Sequence, residues 1–222
     1  MSSKASVTRH DIEIETPDAS LLGDLVIPGE ATGIVLFAHG SGSSRHSPRN
    51  RYVAGVLQAA GLATLLMDLL TAEEEAVDQV TRAIRFDIDL LSERLTGAID
   101  WLSRREETLA LPVGLFGAST GAAAALRAAA ARPARVRAVV SRGGRPDLAG
   151  AALPRVHAPT LLIVGEADTQ VIALNGSAQA QMPAETRLVL VPGASHLFEE
   201  PGTLEIAALL ARDWFVAHLR PA

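Results

Sequence analysis

Gly117-Ala118-Ser119-Thr120-Gly121 follows directly on the apolar run Leu111-Pro112-Val113-Gly114-Leu115-Phe116 and opens an alanine-rich stretch. A serine between two glycines, at a turn from strand to helix, is the arrangement that exposes a nucleophilic hydroxyl. The need is steric. The turn is sharp and strained, so the positions two before and two after the serine must carry no bulk. The same residue would also suit a helix N-cap, a purely structural role. A serine hydroxyl reacts only when a base takes its proton and a carboxylate orients that base.

Six histidines are available. His10 lies in the N-terminal arm, His218 in a C-terminal helical pattern, His157 just before a strand and His46 in a polar loop. His39 follows the strand Ile34-Val35-Leu36-Phe37-Ala38 and is a candidate substrate contact. His196, in Val191-Pro192-Gly193-Ala194-Ser195-His196, leaves the last apolar strand and is the expected base. It belongs to the sheet edge where side chains from several strands converge. The carboxylate follows the same rule: Asp168 leaves Leu161-Leu162-Ile163-Val164-Gly165 just past a glycine. Asp147, after Pro146, is the rival, and Glu166 the outside candidate. Main-chain N–H groups must hold the developing oxyanion. One is expected from Thr120, the residue after the nucleophile. The other is expected from Ser41 in His39-Gly40-Ser41-Gly42-Ser43-Ser44, whose small residues let amides approach a substrate. A phosphate cradle is the competing reading of that loop, but no lysine follows it.

Composition excludes much of the rest. The 222 residues contain no cysteine, and Lys4 is the only lysine. Thiolate nucleophiles, cysteine-held metals, Schiff-base lysines and a Walker lysine are thereby set aside, and neither a metal nor a cofactor is expected. A net charge of −5 lacks the footprint of a nucleic-acid binder. No uncharged apolar run reaches membrane-spanning length, so the expectation is a cytoplasmic protein without membrane partners.

The elements that must position these residues alternate along the chain. Asp11–Glu15 and Leu21–Ile27 read as an antiparallel pair with one face exposed. Ile34–Phe37, Ala63–Met67, Val113–Phe116, Ala138–Val140, Thr160–Val164 and Leu188–Val191 are apolar almost throughout, as strands covered on both faces must be. Helical patterns fall at Pro48–Ala60, Ile84–Arg105, Thr120–Ala131, Val171–Met182 and Thr203–Leu219. The alanines at 122–125 and 128–131, interrupted by Arg127, suit a close-packed helix rather than a membrane segment. The expected fold is α/β, a mostly parallel sheet of about eight strands with helices on both faces, in one domain over 1–222.

Several strings together resemble a known family: HGSGSS after a strand, MDLLTAEEE, LFGASTGAAAAL, SRGGRPDLAG, LLIVGEADTQV and VPGASHLFEEPG. They resemble the dienelactone-hydrolase-like branch of the α/β-hydrolase superfamily, from about Gly33 to the C-terminus. Some of its small serine members are joined to phosphoribosyltransferases, and no such segment is read in this chain. The resemblance implies Ser119, Asp168 and His196 as a triad, in the order Ser…Asp…His. It also implies an oxyanion contribution from the His39–Ser41 loop. The enzyme that names the family uses cysteine where this chain has Ser119, which favours an ester over a dienelactone as substrate. The stretch between the strands ending near Val140 and starting near Thr160 is too short for a cap domain. Arg142 and Arg145 leave a strand at the catalytic edge, either to bind an anionic substrate or to pair with Asp147 and Glu73–Glu75. The expected activity is hydrolysis of a small-molecule carboxylic ester, lactones included, through an acyl-enzyme. Acyl transfer or perhydrolysis at the same triad is the near alternative, and a non-catalytic ligand-binding module the distant one.

Overall fold

Strands that are apolar at successive positions need cover on both faces, because their side chains alternate in direction. Fully burying one large aliphatic or aromatic side chain is worth about 2–3 kcal/mol. That outweighs intrinsic strand propensity, which spans only about 1 kcal/mol. The computed structural model describes residues 7–220; Lys4 and both ends of the 1–222 span lie outside them.

The strands are β1 (Val7–Glu15), β2 (Ser20–Pro28), β3 (Ile34–Ala38), β4 (Ala63–Met67), β5 (Val113–Ala118), β6 (Val136–Arg142), β7 (Thr160–Gly165) and β8 (Thr186–Val191). They form one sheet in the order β1-β2-β4-β3-β5-β6-β7-β8. β1 pairs antiparallel with β2 and β2 antiparallel with β4, whereas β3 to β8 run parallel. The helices are α1 (Pro48–Ala59), α2 (Ala72–Thr81), α3 (Ile88–Leu102), α4 (Thr120–Ala131), α5 (Thr169–Gln179) and α6 (Thr203–His218).

Within β3 and β5, Ile34, Leu36 and Leu115 join α3 and α4 in one core layer, with Leu95, Ile99 and Leu126 opposite them. Val35, Phe37 and Phe116 face the other way, against Val53 and Leu57 of α1 and Phe215 of α6. The Phe37 and Phe116 rings lie 4.9 Å apart. α6 sits so close to β5 that a Cβ at Gly114 would lie 2.7 Å from the Phe215 ring. The α4 alanines at 122–125, 128 and 129 are buried, as a close-packed helix requires, while Ala131 at its end is exposed.

Three expectations need correction. Leu188–Val191 is not covered on both faces: β8 is the edge strand, and within it only Val191 is buried. The helix expected over Ile84–Arg105 is a short 3-10 turn, Ile84–Phe86, followed by α3. Asp87 separates them by capping α3, its carboxylate accepting the Leu90 N–H at 3.0 Å. α2, just upstream, has no counterpart among the expected helices. Its sequence AEEEAVDQVT carries too few apolar residues for a periodic signal. A different signal marks it: Thr71 and Glu74 form a reciprocal capping box, at 3.2 and 2.9 Å. β6 and β7 are joined through the ten-residue 3-10 segment Pro146–Arg155, broken at Gly150, and not through a cap domain. No helix among the described residues is long and apolar enough to cross a membrane.

Candidate active site

β5 delivers Ser119 to the C-terminal edge of the parallel strands. Ser119 has φ 51° and ψ −122°, a left-handed conformation that a side chain rarely adopts. It precedes α4 in the N-cap position, yet its side chain makes no capping bond. The flanking glycines have a measurable reason. A Cβ at Gly117 would lie 2.4 Å from Ala122 Cα, and one at Gly121 would lie 2.3 Å from the Ala38 carbonyl oxygen. Both collisions are with main chain, so neither position tolerates a side chain without the turn opening.

β7 and β8 deliver the other two residues. Asp168 Oδ2 lies 2.6 Å from His196 Nδ1, with the Asp168 side chain mostly buried. The loops that carry them are laced together. Glu166 N–H donates to the Val191 carbonyl at 3.0 Å, Ala167 N–H to the Ala194 carbonyl at 3.0 Å, and Gly193 N–H to Glu166 Oε2 at 3.1 Å. Glu166, the outside candidate for the acid, thus holds the histidine loop. Asp147 lies elsewhere: it receives Arg145 Nε and Nη2 at 2.9 and 2.8 Å. That pairing raises the Arg145 pKa.

Ser119 and His196 line one cavity of about 190 Å³, together with Gly40, Ser41, Asn50 and Arg142. Asp168 sits behind His196, so Nε2 is the ring nitrogen left for the cavity. On the β3 side, Gly40 packs so near the nucleophile that a Cβ there would be 3.0 Å from Ser119 Cβ. Thr120 starts α4, whose first-turn N–H groups have no intrahelical acceptor. The Ser41 hydroxyl lies 3.0 Å from Thr120 Oγ1 and also donates to the Arg85 carbonyl at 3.4 Å. The two residues expected to supply oxyanion donors are therefore neighbours.

The three expected substrate contacts separate. His39 is buried, and both ring nitrogens are taken by main chain: Nδ1 donates to the Gly40 carbonyl at 2.9 Å, and Nε2 accepts the Leu69 N–H at 3.1 Å. Burial lowers its pKa, which keeps the ring neutral. His39 braces the β3 loop against the β4 loop and does not line the Ser119 cavity. Arg145 is committed to Asp147 and is also absent from that lining. Arg142 does line it, almost wholly buried at 8% exposure. Arg49 and Asn50, also in the lining, carry no periodic or motif signal in the sequence. The available hint was Ser47-Pro48, a helix start that brings the first turn of α1 to the site. A larger cleft of about 880 Å³ adjoins the cavity, and Ser43 and Ser47 line both.

Comparison with known proteins agrees with this fold. The model of an alpha/beta hydrolase domain matches residues 31–207. Two Mycobacterium tuberculosis proteins named "Putative phosphoribosyl transferase" are 59% identical over 209 residues, 94% of this chain. The chain spans about half of their length, 46%. The crystal structure of a dienelactone hydrolase from Anabaena variabilis is similar at a TM-score of 0.95 and 62% identity, covering 96% of this chain and 99% of that one. Est1E from Butyrivibrio proteoclasticus shares the fold, with a TM-score of 0.77 at 14% identity over 93% of this chain and 98% of its own. With that sheet order, that strained serine turn and these matches, the chain belongs to the α/β-hydrolase family and is dienelactone-hydrolase-like.

Proposed function

We propose that the protein hydrolyses carboxylic esters through an acyl-enzyme on Ser119. The observation that carries this reading is the His196–Asp168 contact of 2.6 Å beside a serine held at φ 51°, both at one cavity. Ser119 Oγ attacks the ester carbonyl carbon and passes its proton to His196 Nε2. Asp168 accepts the Nδ1–H bond and stabilises the imidazolium that results. The Thr120 and Ser41 N–H groups receive the oxyanion. The C–O bond then breaks, and the leaving alkoxide takes the proton from His196. Water adds to the acyl-enzyme by the same relay in reverse, releasing the carboxylic acid and restoring the serine hydroxyl.

The Anabaena relative's name supports ester or lactone cleavage, and a side that lacks a cap suits small, freely diffusing substrates. The test is turnover of p-nitrophenyl acetate by the wild type and by Ser119→Ala. The variant is expected to lose at least about 10⁴-fold in kcat while keeping its far-UV circular dichroism and melting temperature. Labelling of the wild type, and not the variant, by a fluorophosphonate probe is the companion result. Activity retained in Ser119→Ala would refute the reading.

A further inference from the structure

Ser119 is held at φ 51°, a conformation that persists only where its surroundings over-determine it. Much of that constraint comes from the loop leaving β6. Ser119 N–H donates to the Arg142 carbonyl at 3.4 Å. The Ser119 carbonyl accepts the Arg145 N–H at 3.0 Å, besides the Ala122 N–H at 3.1 Å inside its own turn. Residues 142–145 therefore grip the main chain of the nucleophile at both its donor and its acceptor. The same loop touches the proposed base: a Cβ at Gly143 would lie 3.0 Å from the His196 carbonyl oxygen.

The loop is in turn held from α5. The Gly144 carbonyl accepts Asn175 Nδ2 at 3.0 Å, and Gly143 N–H donates to the Ile163 carbonyl of β7 at 2.8 Å. Gly144 has no slack. A Cβ there would lie 1.9 Å from Ser141 Oγ and 2.5 Å from Ala122 Cβ, in the first turn of α4. Asn175 is wholly buried, and its Nδ2 also donates to the Val171 carbonyl at 2.8 Å. Its Oδ1 is buried with no hydrogen-bond partner among the described residues. An apolar side chain of similar size would escape that cost, so packing does not account for an asparagine here. The bond to Gly144 does. α5 also has Asp168 at its N-cap, and Asn175 lies two turns further along the same face.

We infer that Asn175 is a positioning residue for the nucleophile: by fixing Gly144 it sets the loop 142–145 and, through that loop, the strained main chain of Ser119. One helix then aligns both partners of His196, the acid at its N-cap and the serine from two turns on. This inference rests on the hydrolase reading and deepens it.

The experiment uses Asn175→Leu, which removes the donor at similar volume, and Asn175→Ser, which shortens the side chain. With p-nitrophenyl acetate, Asn175→Leu is expected to lose about 30-fold in kcat with KM within about threefold of the wild type. The rate constant for fluorophosphonate labelling of Ser119 should fall by a similar factor. The inflection of kcat/KM against pH, set by His196, should stay where the wild type has it, because the Asp168–His196 contact does not pass through Gly144. A folded variant with wild-type kcat and labelling rate overturns the inference. So does a loss confined to KM, or a loss accompanied by a moved inflection, which would place the effect on Asp168. If Asn175→Leu does not fold, Asn175→Ser is read by the same measurements. If the wild type neither cleaves an ester nor takes the probe, the hydrolase reading fails. Crystal structures of the wild type and Asn175→Leu then decide the positioning role: a shifted 143–145 loop with Ser119 out of its positive φ supports it, and an unaltered turn overturns it.

Discussion

Asp168 and Asp147 both leave strands at the catalytic edge, and their neighbours separate them. Asp168 meets His196 Nδ1 at 2.6 Å, while Asp147 is occupied by two nitrogens of Arg145. Asp168→Asn is therefore expected to reduce kcat on p-nitrophenyl acetate by about 10⁴-fold, because an amide cannot hold the imidazole in the working tautomer. Asp147→Asn should change kcat by less than about threefold. A large loss in the second variant alone would reverse the assignment. Ser119, Asp168 and His196 were legible as candidates because each lies in the turn or loop that leaves an apolar strand, and chain order then places those loops at one edge. His39 shows where such reading stops. Its position after β3 suits a substrate contact, but the ring's partners are main-chain groups of residues 40 and 69, which only the folded loops bring to it.

Glycine placement matters at the level of the elements. The start of α4 passes against the end of β3 with no room for a methyl group: a Cβ at Gly121 would lie 2.3 Å from the Ala38 oxygen and 2.5 Å from that of His39. Gly121→Ala must push α4 away from the β3 loop. The expected result is a loss of about 2 kcal/mol in denaturant unfolding, with a fall in kcat that is larger than this destabilisation implies. The second effect arises because Thr120 and Ser41 lie on the two elements being separated. A variant as stable and active as the wild type would show that the turn is more pliable than its contacts indicate. The elements were legible where burial dictates pattern, as in the continuous apolar strands. α2 was not, because its stability comes from the Thr71–Glu74 capping box and from Arg94 rather than from an apolar stripe.

Across the whole molecule, Arg94 ties three distant segments together. From α3 it reaches Asp18 between β1 and β2, Glu74 in the first turn of α2, and the Leu69 carbonyl at 3.1 Å. The hydrogen bond from Arg94 is the main reason that Glu74 titrates below 4.5, as Arg132 is for Asp100 below 3.8. For Asp18, burial opposes ionisation, but bonds from Thr16 and Arg94 together carry its pKa below 3.8. Carboxylates lowered in the native state stabilise it fully above those ordinary values, and the contribution is lost as pH falls through the lowered native ones. Stability should therefore decline below about pH 4.5. Arg94→Met should cost about 2 kcal/mol at pH 7, moderated because both carboxylates can reach water. It should also flatten the acid limb, and urea unfolding from pH 7 to pH 3 reads both effects. An unchanged acid limb in the variant would place the acid-sensitive groups elsewhere. This cross-link joins positions 18, 74 and 94, too far apart in the chain for spacing to reveal.

The lacing between the loops after β7 and β8 has a consequence for how readiness to react arises. Three hydrogen bonds join the segment bearing Asp168, the proposed acid, to the segment bearing His196, the proposed base. The pair is aligned when those two strands zip together, so the ordering entropy is settled during folding and not drawn from substrate affinity. On the proposed mechanism, a small molecule that offers few contacts would then still meet an assembled proton relay.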